Sequence, residues 1–170
     1  LEAIVYDKSN NLGYALNKVN HTISVINTVN YTYQETISYA SADALEPNQA
    51  DSSSCHCQNF TYTYDEQSRQ LFIFDLERIY IISTQTNQLV RAIQVTMPVQ
   101  AGEYTGDGPE YKLYTDGQAE YVYLYVADNT YEDQPIQRYS ISTGQLDQGF
   151  NINGSRVVSG PNTDLYYIDR

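Results

Sequence analysis

Tryptophan is missing from this chain, methionine occurs once, histidine twice, and the two cysteines sit together as Cys55-His56-Cys57. A structural zinc site wants four ligands, and a CxC with its intervening histidine offers three crowded donors with no second cluster in the sequence. A disulfide involving Cys55 and Cys57, within the pair or to cysteines outside it, is the expectation for an oxidising compartment. Basic residues are scarce too: nine Lys and Arg against 21 Asp and Glu leave a formal net charge of −12 and a pI near 4.3. Nucleic acid and anionic membrane both demand a basic face, so neither is expected as a partner. No apolar run approaches the ~18 residues of a membrane span. No long stretch keeps a 3.6-residue apolar period, so helices are expected to be few and short. Neither a GxSxG elbow nor an HExxH motif is present, and Gly106-Asp107-Gly108-Pro109 reads as a turn rather than a phosphate cradle. With His21 and His56 both in expected loops, the sequence offers no catalytic residue and calls for no cofactor.

Tyrosine, by contrast, is present 18 times, and β-branched residues alternate with polar ones, the composition of strands. Four times an extended aliphatic and aromatic segment runs into Asp or Asn. These are Gly13-Tyr14-Ala15-Leu16-Asn17, Leu71-Phe72-Ile73-Phe74-Asp75, Leu124-Tyr125-Val126-Ala127-Asp128 and Leu165-Tyr166-Tyr167-Ile168-Asp169. The recurrence fits a unit of roughly 40 residues with insertions, the period of four-stranded propeller blades. An all-β chain of antiparallel four-stranded blades is therefore expected. An ungapped match supports it: Ile23-Ser24-Val25-Ile26-Asn27-Thr28 lies over Ile79-Tyr80-Ile81-Ile82-Ser83-Thr84, and in the same register Ile37 falls on Ile93. A third copy runs from Ile136 to Leu146, with two residues dropped before Gly144-Gln145-Leu146.

The stretch His21-Thr22-Ile23-Ser24-Val25-Ile26-Asn27-Thr28 resembles the "nTIsVIDt" segment of YVTN-type β-propeller repeats, and Leu124-Tyr125-Val126-Ala127-Asp128 resembles the "LYVAn" segment that precedes it. Asn27, Ser83 and Ser142 stand where that family usually has Asp. The resemblance covers nearly the whole chain and implies a fold but no chemistry, because propellers host binding, scaffolding and catalysis alike. Some metal-dependent lactonase propellers use Glu, Asn and Asp in the central channel, which makes a hydrolase the least favoured of three functional classes here.

Read as a single propeller-like segment, residues 1–170 divide into blades at about 1–39, 59–98 and 110–152, a half-blade at 153–170, and an inserted loop at 40–58. Strands A to D are expected at about 3–7, 13–17, 22–28 and 33–39 in blade one, and at 60–65, 70–75, 78–84 and 88–95 in blade two. Blade three is expected to use 110–115, 120–127, 135–142 and 145–152, and the half-blade 155–159 and 164–169. A propeller closes with at least four blades, and open strand edges are templates for pairing. Further protein is therefore expected at both strand edges, from the rest of a longer chain or from neighbouring copies in a filament. Alternation predicts that Ile23, Val25, Leu71, Ile73, Ile79, Ile81, Leu124 and Val126 are buried between blades.

Four Asn-x-Ser/Thr triplets, at Asn20, Asn30, Asn59 and Asn153, are candidate N-glycosylation sites and point to a secreted, extracellular chain. Asp75, Asp128 and Asp169, with Glu77 and Asp133 nearby, could offer oxygens to a hard cation. The plainer role for residues ending a strand is to initiate a turn by bonding their own backbone two residues on. The leading expectation is a glycosylated extracellular structural or interaction protein with a blade scaffold. A ligand- or cation-binding propeller module is the alternative.

Overall fold

The computed structural model describes residues 3–39, 61–96, 110–118, 120–126 and 136–150, with the backbone of 157–159 and 165–167. Every element among them is a β-strand, and all pairings are antiparallel. Blade one is the sheet β1 (Ala3–Asp7), β2 (Leu12–Asn17), β3 (Thr22–Asn27) and β4 (Thr32–Ser38), in that order. Blade two repeats it with β5 (Thr61–Asp65), β6 (Gln70–Phe74), β7 (Arg78–Ser83) and β8 (Gln88–Gln94). Blade three holds β9 (Tyr111–Thr115), β10 (Tyr121–Val126) and β11 (Gln137–Ser140), and β12 (Val157–Ser159) pairs with β13 (Leu165–Tyr167). The chain is thus all-β, an incomplete propeller of between three and four blades.

The internal match extends to the hydrogen-bond register. Ile23 lies opposite Ile37 and Ile79 opposite Ile93, and the third hairpin of each blade carries a bulge at the same place, after Val25 and after Ile81. In each of those hairpins the turn opens on a threonine bonded back to the start of the preceding strand: Thr28 N donates to Asn11 O and Thr84 N to Arg69 O, both at 2.9 Å.

Two apolar clusters join the blades, and strand alternation assigns their members. Leu16, Ile23, Val25 and Ile37 of blade one pack against Leu71, Ile73, Tyr80 and Ile82 of blade two. The opposite face of blade two, Phe72, Phe74, Ile79 and Ile81, packs against Leu113, Val122, Leu124 and Val126 of blade three. All eight positions expected between blades are buried. Blade two is covered on both faces, which is why β6 and β7 read as continuous apolar runs.

Blade three departs from the expectation of a full fourth strand at 145–152. Among the described residues beyond β11, Leu146 alone bridges, to Tyr139, and residues 151–152 lie outside the described residues. The turn keeps the length it has in blade two, so the two-residue deletion expected from the sequence is not there. Tyr139 meets Leu146 as Ile82 meets Leu89, and Ser140 rather than Ser142 stands where Ser83 does. Gly144 at φ 74, donating its N–H to Ser140 O at 2.8 Å, takes the left-handed place of Asn87 at φ 54. Gly149 N then donates to Asp147 Oδ1 and Phe150 N to Asp147 O, curling the chain out of the sheet. Arg138 donates twice to Asp147 Oδ2 and holds that carboxyl below the usual carboxylate range. Its guanidinium lies 4.4 Å from the centre of the Tyr121 ring and 4.3 Å from that of Phe150.

Buried phenols make the fold alkali-sensitive. Burial, reinforced by the negative charge of Asp7, pushes Tyr14 up to about 12, and burial alone does the same for Tyr139. Tyr80 rises to about 12 through burial and then the charge of Asp75. A group whose folded value lies above its unfolded value near 10 contributes stability that is complete below pH ~10 and is lost as pH rises through the folded value. Unfolding coupled to phenol ionisation is therefore expected between about pH 10 and 12. Absorbance at 295 nm and circular dichroism should move together there; gradual ionisation centred on pH ~10 with the fold intact contradicts it.

Candidate functional site

Each blade ends strand A in an aspartate, Asp7, Asp65 and Asp116, and each carboxylate accepts turn amides. Asp7 Oδ1 takes Ser9 N and Asn10 N, Asp65 Oδ1 takes Gln67 N and Ser68 N, and Asp116 Oδ1 takes Gln118 N and Glu120 N. Sequence reasoning missed this set. Its signal was visible as Tyr6-Asp7, Tyr64-Asp65 and Thr115-Asp116 a few residues before the apolar strand-B runs.

At the seam between blades one and two, Asp7 is fully buried and its Oδ2 is well supplied with donors. Asn10 Nδ2 donates at 2.9 Å, Thr84 Oγ1 reaches across from blade two at 3.1 Å, and Arg69 Nη2 stands 3.8 Å away. Tyr64 OH lies 3.5 Å from Thr84 Oγ1. Tyr14 OH donates to Asn87 Oδ1 at 2.9 Å and lies 3.1 Å from Thr84 O, and Asn87 Nδ2 donates to Glu35 Oε1 at 2.7 Å. The network crosses the seam in both directions, and its charged member is paired as a buried carboxylate must be.

Asp65 occupies the same position at the next seam and is only 4% exposed, yet its Oδ2 finds no partner among the described residues. It lines a cavity of about 510 Å³ with Tyr64, Glu66, Gln67 and Thr115.

The strand-B termini behave as turn initiators. Asn17 Oδ1 accepts Val19 N and Asn20 N, and Asp75 Oδ1 accepts Glu77 N and Arg78 N. Among the described residues no three acidic, histidine or cysteine side chains gather as a metal would require, so Asp75 and Glu77 are not joined by a third ligand. Asp128, Asp133 and Asp169 lie outside the described residues, as do His56, Cys55, Cys57, Asn59 and Asn153. His21 Nε2 stands 3.8 Å from Asp75 Oδ2, and its ring meets Tyr39 edge-on at 5.7 Å. Tyr39 leans on Tyr80 at 5.1 Å, and burial raises its phenol well above the ordinary value. The group holds blade one against blade two and contains no nucleophile beside a base. Asn20 and Asn30 are exposed in hairpin turns.

Among the described residues nothing covers the outer face of blade one. Its cross-strand rows are Ile4-Ala15-Ser24-Thr36 and Tyr6-Gly13-Ile26-Tyr33, with Ile4 62%, Tyr6 45% and Tyr33 63% exposed. The same positions of blade two include Leu71, Ile73, Tyr80 and Ile82, all buried against blade one. Blade one therefore presents a floor of Gly13, Ala15 and Ser24 where blade two carries bulk.

No protein-family model matches the chain, and no curated protein matches it in sequence. Solved structures do match in fold. Hydrazine synthase of Kuenenia stuttgartiensis aligns with a TM-score of 0.55 at 11% identity, over 94% of this chain and 39% of that one. AztD of Citrobacter koseri gives 0.56 at 10% identity over 89% and 35%. Sqt1 of Saccharomyces cerevisiae gives 0.56 at 13% identity over 92% and 37%. The likeness to the β-propeller proteins AztD and Sqt1 supports a propeller-like fold. The chain spans well under half the length of each of these structures.

Proposed function

We propose that this chain is a structural or interaction protein of the YVTN-type propeller class, secreted and N-glycosylated, which presents blades as a scaffold. In this reading residues 1–170 form a single array with an inserted loop at 40–58, and further protein covers its open ends. The carrying observation is the outer face of blade one, where Ile4, Tyr6 and Tyr33 are exposed at a surface whose counterpart in blade two is buried by a neighbouring blade. Burying such side chains is worth about 1.5–3 kcal/mol each for a large apolar group, so a covered face is strongly favoured over a wet one. The occupant is another blade, whose large side chains pack over the small Ala15 and Ser24 and against Ile4, Tyr6 and Tyr33. It belongs either to the same polypeptide or to a neighbouring copy joined head to tail, and a head-to-tail contact that does not close propagates into a filament.

The exposed turn positions of Asn20 and Asn30 support glycosylation, since a glycan there stands clear of the packed faces. Partners without a basic-face requirement suit the net charge of −12; nucleic acid and anionic membrane do not. Sedimentation of the native material, with intact mass before and after enzymatic glycan release, tests the reading. A larger polypeptide or a self-associated assembly is expected, with a loss of mass on release. A compact 19.4 kDa monomer with no associated chain overturns the covered face, and an unchanged mass overturns glycosylation.

A further inference from the structure

We propose that the seam between blades two and three binds an organic cation, an ammonium or guanidinium group seated against the carboxylate of Asp65. The argument is a comparison of two seams built on one plan. Backbone bonding identifies the equivalent positions: Thr84 N donates to Arg69 O in blade two, and Ile141 N donates to Glu120 O in blade three, both at 2.9 Å. Ile141 thus stands where Thr84 stood, and Glu120 where Arg69 stood. Strand pairing gives a third equivalence, because Tyr64 lies opposite Leu71 as Thr115 lies opposite Val122.

At the first seam these three positions serve Asp7. Thr84 donates to its Oδ2, Arg69 supplies a positive charge, and Tyr64 closes the space beside Thr84. At the second seam all three are changed in the direction that withdraws support from Asp65. The hydroxyl has become the aliphatic Ile141, the cation has become the anion Glu120, and the large ring has become the short Thr115. The local donor is gone as well: Asn10, whose amide reaches Asp7 Oδ2, is matched in the turn by Ser68, whose hydroxyl is one atom too short and is itself buried without a partner.

A buried carboxylate oxygen without a donor is costly, and the cavity lined by Asp65 and Thr115 lies where a donor can enter. A guanidinium or ammonium would supply what Arg69 and Thr84 supply at the first seam, charge together with N–H donors. The exposed Glu66 beside it adds to the negative field. A divalent metal fits less well, since Ca²⁺ takes 6–8 oxygens and no three acidic, histidine or cysteine side chains gather among the described residues.

Titration of ¹⁵N-labelled protein with L-argininamide, its neutral isostere L-citrullinamide and CaCl₂ tests the site. Argininamide is expected to shift the Gln67 and Thr115 amides saturably, at concentrations at least about tenfold below those citrullinamide needs. Asp65→Asn should weaken it by about tenfold or more, and Thr115→Tyr should do the same by filling the cavity while leaving the carboxylate in place. Glu77→Gln, which removes an equal charge from the exposed surface outside the cavity lining, should change affinity by less than about threefold. Equal binding of the two amides overturns the proposal. So do unchanged affinity in either site variant, an effect of Glu77→Gln as large as that of Asp65→Asn, and displacement of argininamide by Ca²⁺ at lower concentration.

Discussion

Replacing Phe74 by alanine is expected to destabilise the protein by about 3–5 kcal/mol, the cost of emptying a large aromatic site in a packed core. Phe74 is fully buried on the face of blade two that meets blade three, and its ring meets Tyr111 edge-on at 5.4 Å. The substitution removes the transfer free energy of the ring and leaves a cavity that two stiff sheets cannot collapse around. It also deletes the aromatic pair, worth a further ~0.5–1.5 kcal/mol. Leu16 holds the same position in blade one and faces blade two, so Leu16→Ala should cost somewhat less, about 2–5 kcal/mol. Urea unfolding followed by tyrosine fluorescence reads both values. A loss below ~1 kcal/mol for Phe74→Ala would show that the second seam is not a packed interface.

The second large effect is at Asp7. Asp7→Asn is expected to cost roughly 2–3 kcal/mol, because hydrogen bonds to a charged partner are each worth about 1.5–3 kcal/mol and buried donors left without an acceptor add their desolvation. Asparagine can keep the turn through its Oδ1, accepting Ser9 N and Asn10 N as the carboxylate does. Its amide nitrogen would then face the Arg69 guanidinium, which can only donate, and Asn10 and Thr84, each of which must turn over to present an oxygen. Asp65→Asn, chemically the same change at the next seam, removes an acceptor that has no donor and should cost little or nothing. The contrast between the two is the measurement: equal losses in thermal unfolding would mean that the cross-seam partners of Asp7 contribute nothing.

The strands and their registers were legible because they rest on local alternation and on a repeat. The ungapped match of residues 23–28 with 79–84 carried the burial pattern, and even the shared bulge lies inside it. The third hairpin was misread as shortened: Tyr139 meets Leu146 over the same span as Ile82 meets Leu89, so the gap placed before Gly144 came from matching similar letters, Ser142-Thr143 to Ser83-Thr84, two residues out of register. The turn after Asp147, where its carboxylate takes Gly149 N and the Arg138 guanidinium, rests on side-chain choices that no period encodes. The strand-A aspartates were overlooked for a related reason. Asp7 gains its meaning from Thr84, 77 residues away, and an aspartate before a turn looks the same whether or not such a donor waits across a seam. Asp65 became informative only through the empty side of that comparison. Of the strand-B residues, more conspicuous in the sequence, Asn17 shapes its turn, and Asp75 adds to that the approach of His21 across the seam.

The two-sided burial of blade two also bears on how the chain survives its own synthesis. Residues 70–83 leave the ribosome well before residues 110–126, so Phe72, Phe74, Ile79 and Ile81 wait for their covering blade while blade one already shields the reverse side. Segments of this kind, apolar and rich in β-branched and aromatic residues, are the ones that stack into intermolecular sheets. Asp75, Glu77 and Arg78 interrupt the two runs with three charges around Leu76, open to repulsion and solvation, the placement of gatekeeper residues. Their worth is then measured less in the stability of the finished fold than in the fraction of chains that reach it.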